Sequence, residues 1–235
     1  MQTKSFVRSL VLALVCASGP AFAQEQTPAA EKAEKPAAAA MVGEPAPDFT
    51  LTDCHGKKFT LSDLKDKLVV LEWVSQECPF CIKAIPVVKQ IQKKYEGKGI
   101  VWVGIESTHW RKAEENINFI KEKELAYTIL MDADGQVGHL YGAKTTPHIF
   151  IINKGKLAYA GALSNDQSGK KKPEEVRGYV DEALAAILGG KGVPVAETTP
   201  WGCSVKYAKS GEKGAKADAR RRGGDQQEKP EYKEN

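Results

Sequence analysis

Cys78-Pro79-Phe80-Cys81 holds the residues of this sequence whose type and spacing most clearly imply chemistry. In the first turn of a helix, two cysteines at this spacing close a small ring with little loop-closure cost. Their sulfurs can therefore cycle between dithiol and disulfide. A cysteine at a helix N-terminus has unpaired N–H groups and the macrodipole beside it, and both favour a thiolate. Cys81, one turn further in, is expected to be more buried and less acidic. This asymmetry makes Cys78 the attacking sulfur and Cys81 the resolving one. Proline suits position 79, where a missing N–H removes only a redundant donor. A zinc site would want a second C-x-x-C or a histidine pair, and Cys54-His55 and Cys203 lack the spacing. No metal and no cofactor are expected. A static structural disulfide is the competing reading in an exported chain, but the strand–C-x-x-C–helix context favours the redox one.

The elements that must position the pair can be read around it. Residues 68–75 (LVVLEWVS) form a short, β-branched, nearly continuous apolar run, as a central strand covered on both faces would. Residues 82–95 carry apolar side chains at helical spacing, with Gly97 as a stop. Residues 100–105 (IVWVGI) read as a second buried strand, 113–123 as an amphipathic helix, and 126–131 as a third strand ended by Asp132-Ala133-Asp134-Gly135. Residues 148–152 and 156–162 read as strands joined by Asn153-Lys154-Gly155, a hairpin signal. Residues 174–188 read as a closing helix. Strands and helices alternate, so the expected fold is α/β, a central mixed sheet flanked by helices on both faces.

With these motifs in place the chain resembles the thioredoxin-fold redoxins, in particular the TlpA/ResA-like and AhpC/TSA-type thiol–disulfide oxidoreductases. Residues 72–86 (EWVSQECPFCIKAIP) are similar to the family's active-site segment, with an acidic residue six before the first cysteine and a helix proline, Pro86, five after the second. Tyr141-Gly142-Ala143-Lys144-Thr145-Thr146-Pro147 resembles its Y-G-x-x-x-x-P segment, and Gly43-Glu44-Pro45-Ala46-Pro47-Asp48-Phe49-Thr50-Leu51 its G-x-x-A-P-x-F-x-L opening. The resemblance spans about 43–190. It implies a thioredoxin-like fold with a helix-containing insertion (113–123) between the C-x-x-C helix and a cis-proline strand.

Roles follow from the resemblance and from elementary chemistry. Glu72 is a lone carboxylate in an apolar strand, so it should be largely neutral or paired; the resemblance makes it the proton acceptor for Cys81. Pro147 falls on the family's cis-proline. That would set the Thr146 backbone against the disulfide, where it can bind an extended substrate strand. Pro79, Phe80, Thr146 and Pro147 are the expected substrate-contacting residues. Glu77 replaces the tryptophan that thioredoxins usually carry before the first cysteine, and a carboxylate there should raise the pKa of Cys78.

Two other functions compete with thiol–disulfide exchange. A peroxiredoxin-type peroxidase would use Cys78 as its peroxidatic cysteine, with Ser75 three residues before it. Against this, Leu71 stands where those enzymes place proline, and the only arginines of 43–207, Arg111 and Arg177, match no peroxide-binding motif. A copper carrier would pair Cys78 and Cys81 with His139 or His148, but that group typically has C-x-x-x-C. Cys54 and Cys203 leave three options: a structural bridge between them, Cys203 as a second resolving thiol for Cys78, or two free buried thiols.

The ends complete the organisation. Residues 1–23 read as an export signal, with Lys4 and Arg8 ahead of an apolar run that closes on Ala21-Phe22-Ala23. Gly19-Pro20 breaks the run, so no stable membrane span is expected after cleavage. Residues 24–42 are an Ala/Glu/Lys/Pro linker. The redoxin domain is 43–190, with a packed C-terminal extension at 191–207. The tail 208–235 lacks Val, Ile, Leu, Phe, Met and Trp, which marks it as disordered and charged. A net charge of +4 over 235 residues is too mild to point to nucleic acid, and a mean hydropathy of −0.39 argues against a polytopic membrane protein. The expected partners are protein dithiols and disulfides and an electron donor or acceptor, in the periplasm or another extracytoplasmic compartment.

Overall fold

A computed structural model describes residues 39–209. The expected export signal, most of the linker and nearly all of the charged tail lie outside the described residues. In chain order the elements are β1 (Thr50–Asp53), β2 (Lys58–Thr60), a 3-10 turn (Leu61–Leu64), β3 (Leu68–Trp73), α1 (Pro79–Lys94), β4 (Ile100–Glu106) and α2 (Ala113–Lys123). There follow β5 (Ile129–Met131), α3 (Gln136–Tyr141), β6 (Thr145–Thr146), β7 (His148–Asn153), β8 (Lys156–Gly161), a 3-10 turn (Pro173–Glu175), α4 (Tyr179–Leu188) and β9 (Cys203–Ser204).

Seven strands form one sheet in the order β2-β1-β5-β4-β3-β7-β8. The β3–β4 and β4–β5 pairs are parallel and the rest antiparallel. This mixed sheet with flanking helices is the thioredoxin-like architecture that the sequence motifs imply. The alternation of a pleated strand explains its two-sided core. On β3, Val69, Leu71 and Trp73 pack on one face with Phe150, Leu130 and Tyr141 of α3. Leu68, Val70 and the following Val74 pack on the other, beneath α1, α2 and α4. Glu72 shares this second parity, which points it under the cysteine helix.

Several boundaries differ from the sequence reading for identifiable reasons. The strand 68–75 stops at Trp73, and after one more bond (Val74 N–H to the Ile105 carbonyl, 3.0 Å) the chain leaves the sheet to present Cys78. The helix 82–95 starts earlier, at Pro79 with Cys78 as its cap residue, and runs through Pro86. The strand 126–131 shortens to three residues, with parallel pairing to β4 beginning at Gly104 opposite Ile129. The closing helix 174–188 divides into a 3-10 turn and α4. The Asn165 side chain causes the break: it donates to the Glu175 carbonyl and accepts the Arg177 N–H, which holds the chain extended at Val176. In the hairpin at 153–155, Lys154 (φ 49°) and Gly155 (φ 76°) both take the left-handed conformation that a two-residue turn between twisted strands requires.

Three features carried no periodicity signal in the sequence. The β1–β2 hairpin is short and polar. Helix α3 has six residues, and two aspartates hold its first N–H groups: Asp134 accepts from Gln136 (3.1 Å), and Asp132 accepts from Val137 (3.0 Å) and Gly138 (2.9 Å). Strands β6 and β9 have two residues each and form a separate antiparallel pair.

Candidate active site

The central strand β3 delivers the chain to the site, and α1 begins there. Cys78 is 2% exposed and Cys81 1% exposed. The Cys78 N–H bonds to the Ser75 carbonyl at 3.1 Å, which closes the turn that seats the sulfur at the start of α1. The Thr146–Pro147 peptide is cis, and as a thiol Cys78 donates to the Thr146 carbonyl at 2.8 Å.

The two sulfurs are pushed in opposite directions. The pKa of Cys78 is lowered, chiefly because the Cys81 thiol donates to it, with further donors from the Thr146 hydroxyl and from the thiol and N–H of Cys203. The pKa of Cys81 is raised well above the usual thiol value by burial, by its bond to Cys78 and by the negative charges of Cys78 and Glu72. A buried pair in which one sulfur is a thiolate and its neighbour keeps the proton can exchange disulfides.

Glu72 lies beneath this pair, 2% exposed. Its carboxylate accepts from Trp102 Nε1 at 2.9 Å and from the Tyr127 hydroxyl. Burial outweighs both bonds and lifts its pKa from 4.5 to about 7. Gly104 stands opposite Glu72 on β4, where a Cβ would press on Tyr127 at 3.2 Å, so the absent side chain leaves room for the phenol.

Residues 42–160 match the AhpC/TSA family. The chain belongs to that family. Among its relatives, the thiol-disulfide oxidoreductase ResA of Bacillus thuringiensis subsp. konkukian is 29% identical over 139 residues, 59% of this chain and 76% of that protein. ResA of Bacillus subtilis is 28% identical over 181 residues, 74% of this chain and 96% of its own. The crystal structure of a hypothetical protein from Sinorhizobium meliloti superposes with a TM-score of 0.64 at 27% identity, covering 73% of this chain and 97% of that one.

In this AhpC/TSA family member the other expected site residues are distributed as follows. Thr146 and Pro147 border Cys78. Pro79 is exposed at the start of α1, and the Phe80 ring faces Trp201 edge-on at 6.1 Å. Cys54 and Cys203 are not paired: Cys54 sits 3.9 Å from Thr128 Oγ1 beside β1, while Cys203 contacts Cys78, and all four described cysteines are free. His139 stacks on Tyr207, and His148 is buried with its Nδ1 accepting from the Lys144 N–H at 3.3 Å. Among the described residues no group of three His, Cys, Asp or Glu side chains is placed to hold a metal ion.

Glu77, directly before Cys78, has its carboxylate 2.6 Å from the Arg111 guanidinium, a cation that offsets its charge beside the sulfur. Arg111 also meets Glu115 at 2.8 Å and donates to the Gln76 side-chain oxygen. Sequence reasoning passed over Trp102 and Tyr127, and weighed Arg111 only as a peroxide-binding residue. They converge from separate strands and loops, so no local spacing joins them to the cysteines.

Proposed function

We propose that this thiol–disulfide oxidoreductase exchanges disulfides with exported protein partners through Cys78 and Cys81. The observation that carries the reading is the placement of two free cysteines at the head of α1, with Cys78 Sγ 2.8 Å from the carbonyl of the cis Thr146–Pro147 peptide. The resemblance to ResA proteins points the same way.

The residues divide the work as follows. The Cys78 thiolate attacks a partner disulfide beside the cis Thr146–Pro147 peptide. Cys81 then gives up its proton, attacks Cys78 and releases the reduced partner. Glu72, with a pKa near neutrality, takes that proton. The reverse sequence oxidises a partner dithiol. Residues 1–23 act as the export signal, and no described helix is long and apolar enough to cross a membrane.

Redox titration of the purified protein against glutathione tests this. With Cys203 replaced by Ser, so that only the pair at the head of α1 can close, the result expected is a two-electron transition that Cys78→Ser and Cys81→Ser each abolish. A pair that stays oxidised at every potential would overturn it. The potential also sets the direction of electron flow: near about −270 mV the protein is a reductant, and near about −120 mV an oxidant.

A further inference from the structure

Residues 196–207 cross the site as a strap tied down on both sides of Cys203. Upstream, Thr198 N–H donates to the Ala160 carbonyl at 3.1 Å, and Thr198 Oγ1 accepts from the Ala162 N–H at 2.8 Å. Trp201 Nε1 donates to the Ser164 carbonyl at 2.8 Å, and its ring covers Phe80. Downstream, Val205 N–H donates to the Lys144 carbonyl at 3.1 Å, and the Tyr207 hydroxyl donates to the Ala143 carbonyl at 2.8 Å. Between these anchors β9 pairs antiparallel with β6, with Cys203 opposite Thr146. Gly202 permits this approach: its φ is 145°, and any Cβ would collide with the Thr146 carbonyl.

The chain's own segment thus occupies the edge beside Pro147 that an extended partner strand would use, and it brings a cysteine to the position a partner cysteine would take. Cys203 donates through both its thiol and its backbone N–H to Cys78. Cys78 is enclosed, whereas Cys203 is only half-buried. A pocket of about 150 Å³ opens between them, lined by Cys78, Cys203, Thr146, Thr108, Glu77 and Lys206 among others.

We propose that Cys203 is a third redox thiol, a built-in partner cysteine that exchanges with the Cys78–Cys81 disulfide and carries the exchange from the enclosed pair to the surface. The proposal rests on the exchange function above. In the oxidised protein, deprotonated Cys203 attacks Cys78 Sγ. A Cys78–Cys203 bond forms, the Cys78–Cys81 bond breaks, and the electron pair leaves on Cys81, which is protonated. One disulfide and one thiol stand on each side of the step, so no outside oxidant is needed. A partner thiolate then attacks Cys203, the accessible sulfur. It expels Cys78, whose stabilised thiolate makes it the better leaving group. A second partner thiol releases Cys203, leaving the partner oxidised and the protein reduced by two electrons.

The test oxidises Cys81→Ser with one equivalent of diamide and maps disulfide-linked peptides by mass spectrometry at two protein concentrations. The result expected is a Cys78–Cys203 link within one chain, formed at a rate independent of concentration. Gly202→Ala in the same background, which removes no sulfur, is expected to lose most of that link. With a dithiol peptide as partner, oxidised Cys203→Ser is expected to exchange about tenfold more slowly than wild type. The proposal is overturned if Cys81→Ser yields only chain-to-chain Cys78 dimers, or if Cys203→Ser exchanges at the wild-type rate. In either case a Cys78–Cys81 disulfide that still cycles leaves the exchange function standing. Its failure to cycle in wild type would remove both.

Discussion

Arg111 Nη2 stands 2.6 Å from the carboxylate of Glu77, the residue directly before the attacking cysteine. The guanidinium side chain is 5% exposed and the carboxylate 56%, so a buried cation restrains a surface anion at the edge of the site. A bidentate-capable guanidinium suits this position, because it serves Glu77, Glu115 and Gln76 at once.

Removing that cation frees the Glu77 charge beside Cys78. Arg111→Ala is predicted to raise the pKa of Cys78 and to destabilise the fold by about 1–3 kcal/mol. Iodoacetamide alkylation across a pH series, with urea unfolding alongside, reads both effects. An alkylation profile identical to wild type would show that Glu77 has no hold on the thiol.

Glu72 should govern the resolving step. Only its deprotonated form accepts a proton, and its pKa is about 7. The rate at which Cys81 releases a mixed disulfide should therefore rise with pH through neutrality. Glu72→Gln is predicted to slow that release about 10²-fold and to flatten the dependence. Stopped-flow release of a labelled peptide from Cys78 measures it, and a Gln variant with the wild-type pH profile would assign the proton to another group.

The same burial has a cost in stability, with a definite sign. Glu72 and Glu106 are held at about 7 and Asp132 at about 6, all above ordinary carboxylate values. The folded chain keeps protons that the unfolded chain has released. Their stabilising share is complete below about pH 4 and is lost as pH rises to about 7. Glu72→Gln is therefore predicted to be about 1–2 kcal/mol more stable than wild type at pH 8, with the gap closing by pH 4. Equal gaps at both pH values in urea melts would contradict this.

Hydrogen peroxide separates the family's possible chemistries. The Arg111 guanidinium is engaged by Glu77, Glu115 and Gln76. Peroxide consumption by the reduced protein is predicted to stay near that of an ordinary thiolate. Rapid consumption that needs Cys78 and survives Cys81→Ser would instead favour a peroxidase.

How much of this was legible in the sequence depended on whether the signal was local. The strand read over 68–75 and the cysteine helix announce themselves because each repeats its apolar pattern within one element, although the strand ends at Trp73. Glu72 stood out by being the one charge in an apolar run. Its partners did not: Trp102 lies on a neighbouring strand and Tyr127 just ahead of another, and they meet Glu72 only once the sheet has formed. The break at Val176 was hidden for the same reason, since Asn165 makes it by bonding groups ten and twelve residues further on. The pairing of Cys203 with Thr146 spans 57 residues and rests on two-residue strands, too short for any period to show.

In every exchange with a partner disulfide Cys78 attacks and Cys81 resolves. The most direct measurement is trapping of a disulfide-bonded partner peptide in a Cys203→Ser background, which silences the strap thiol. Cys81→Ser is predicted to accumulate a stable mixed disulfide through Cys78, while Cys78→Ser accumulates none. Equal trapping by both variants, or trapping through Cys81 alone, would contradict the account.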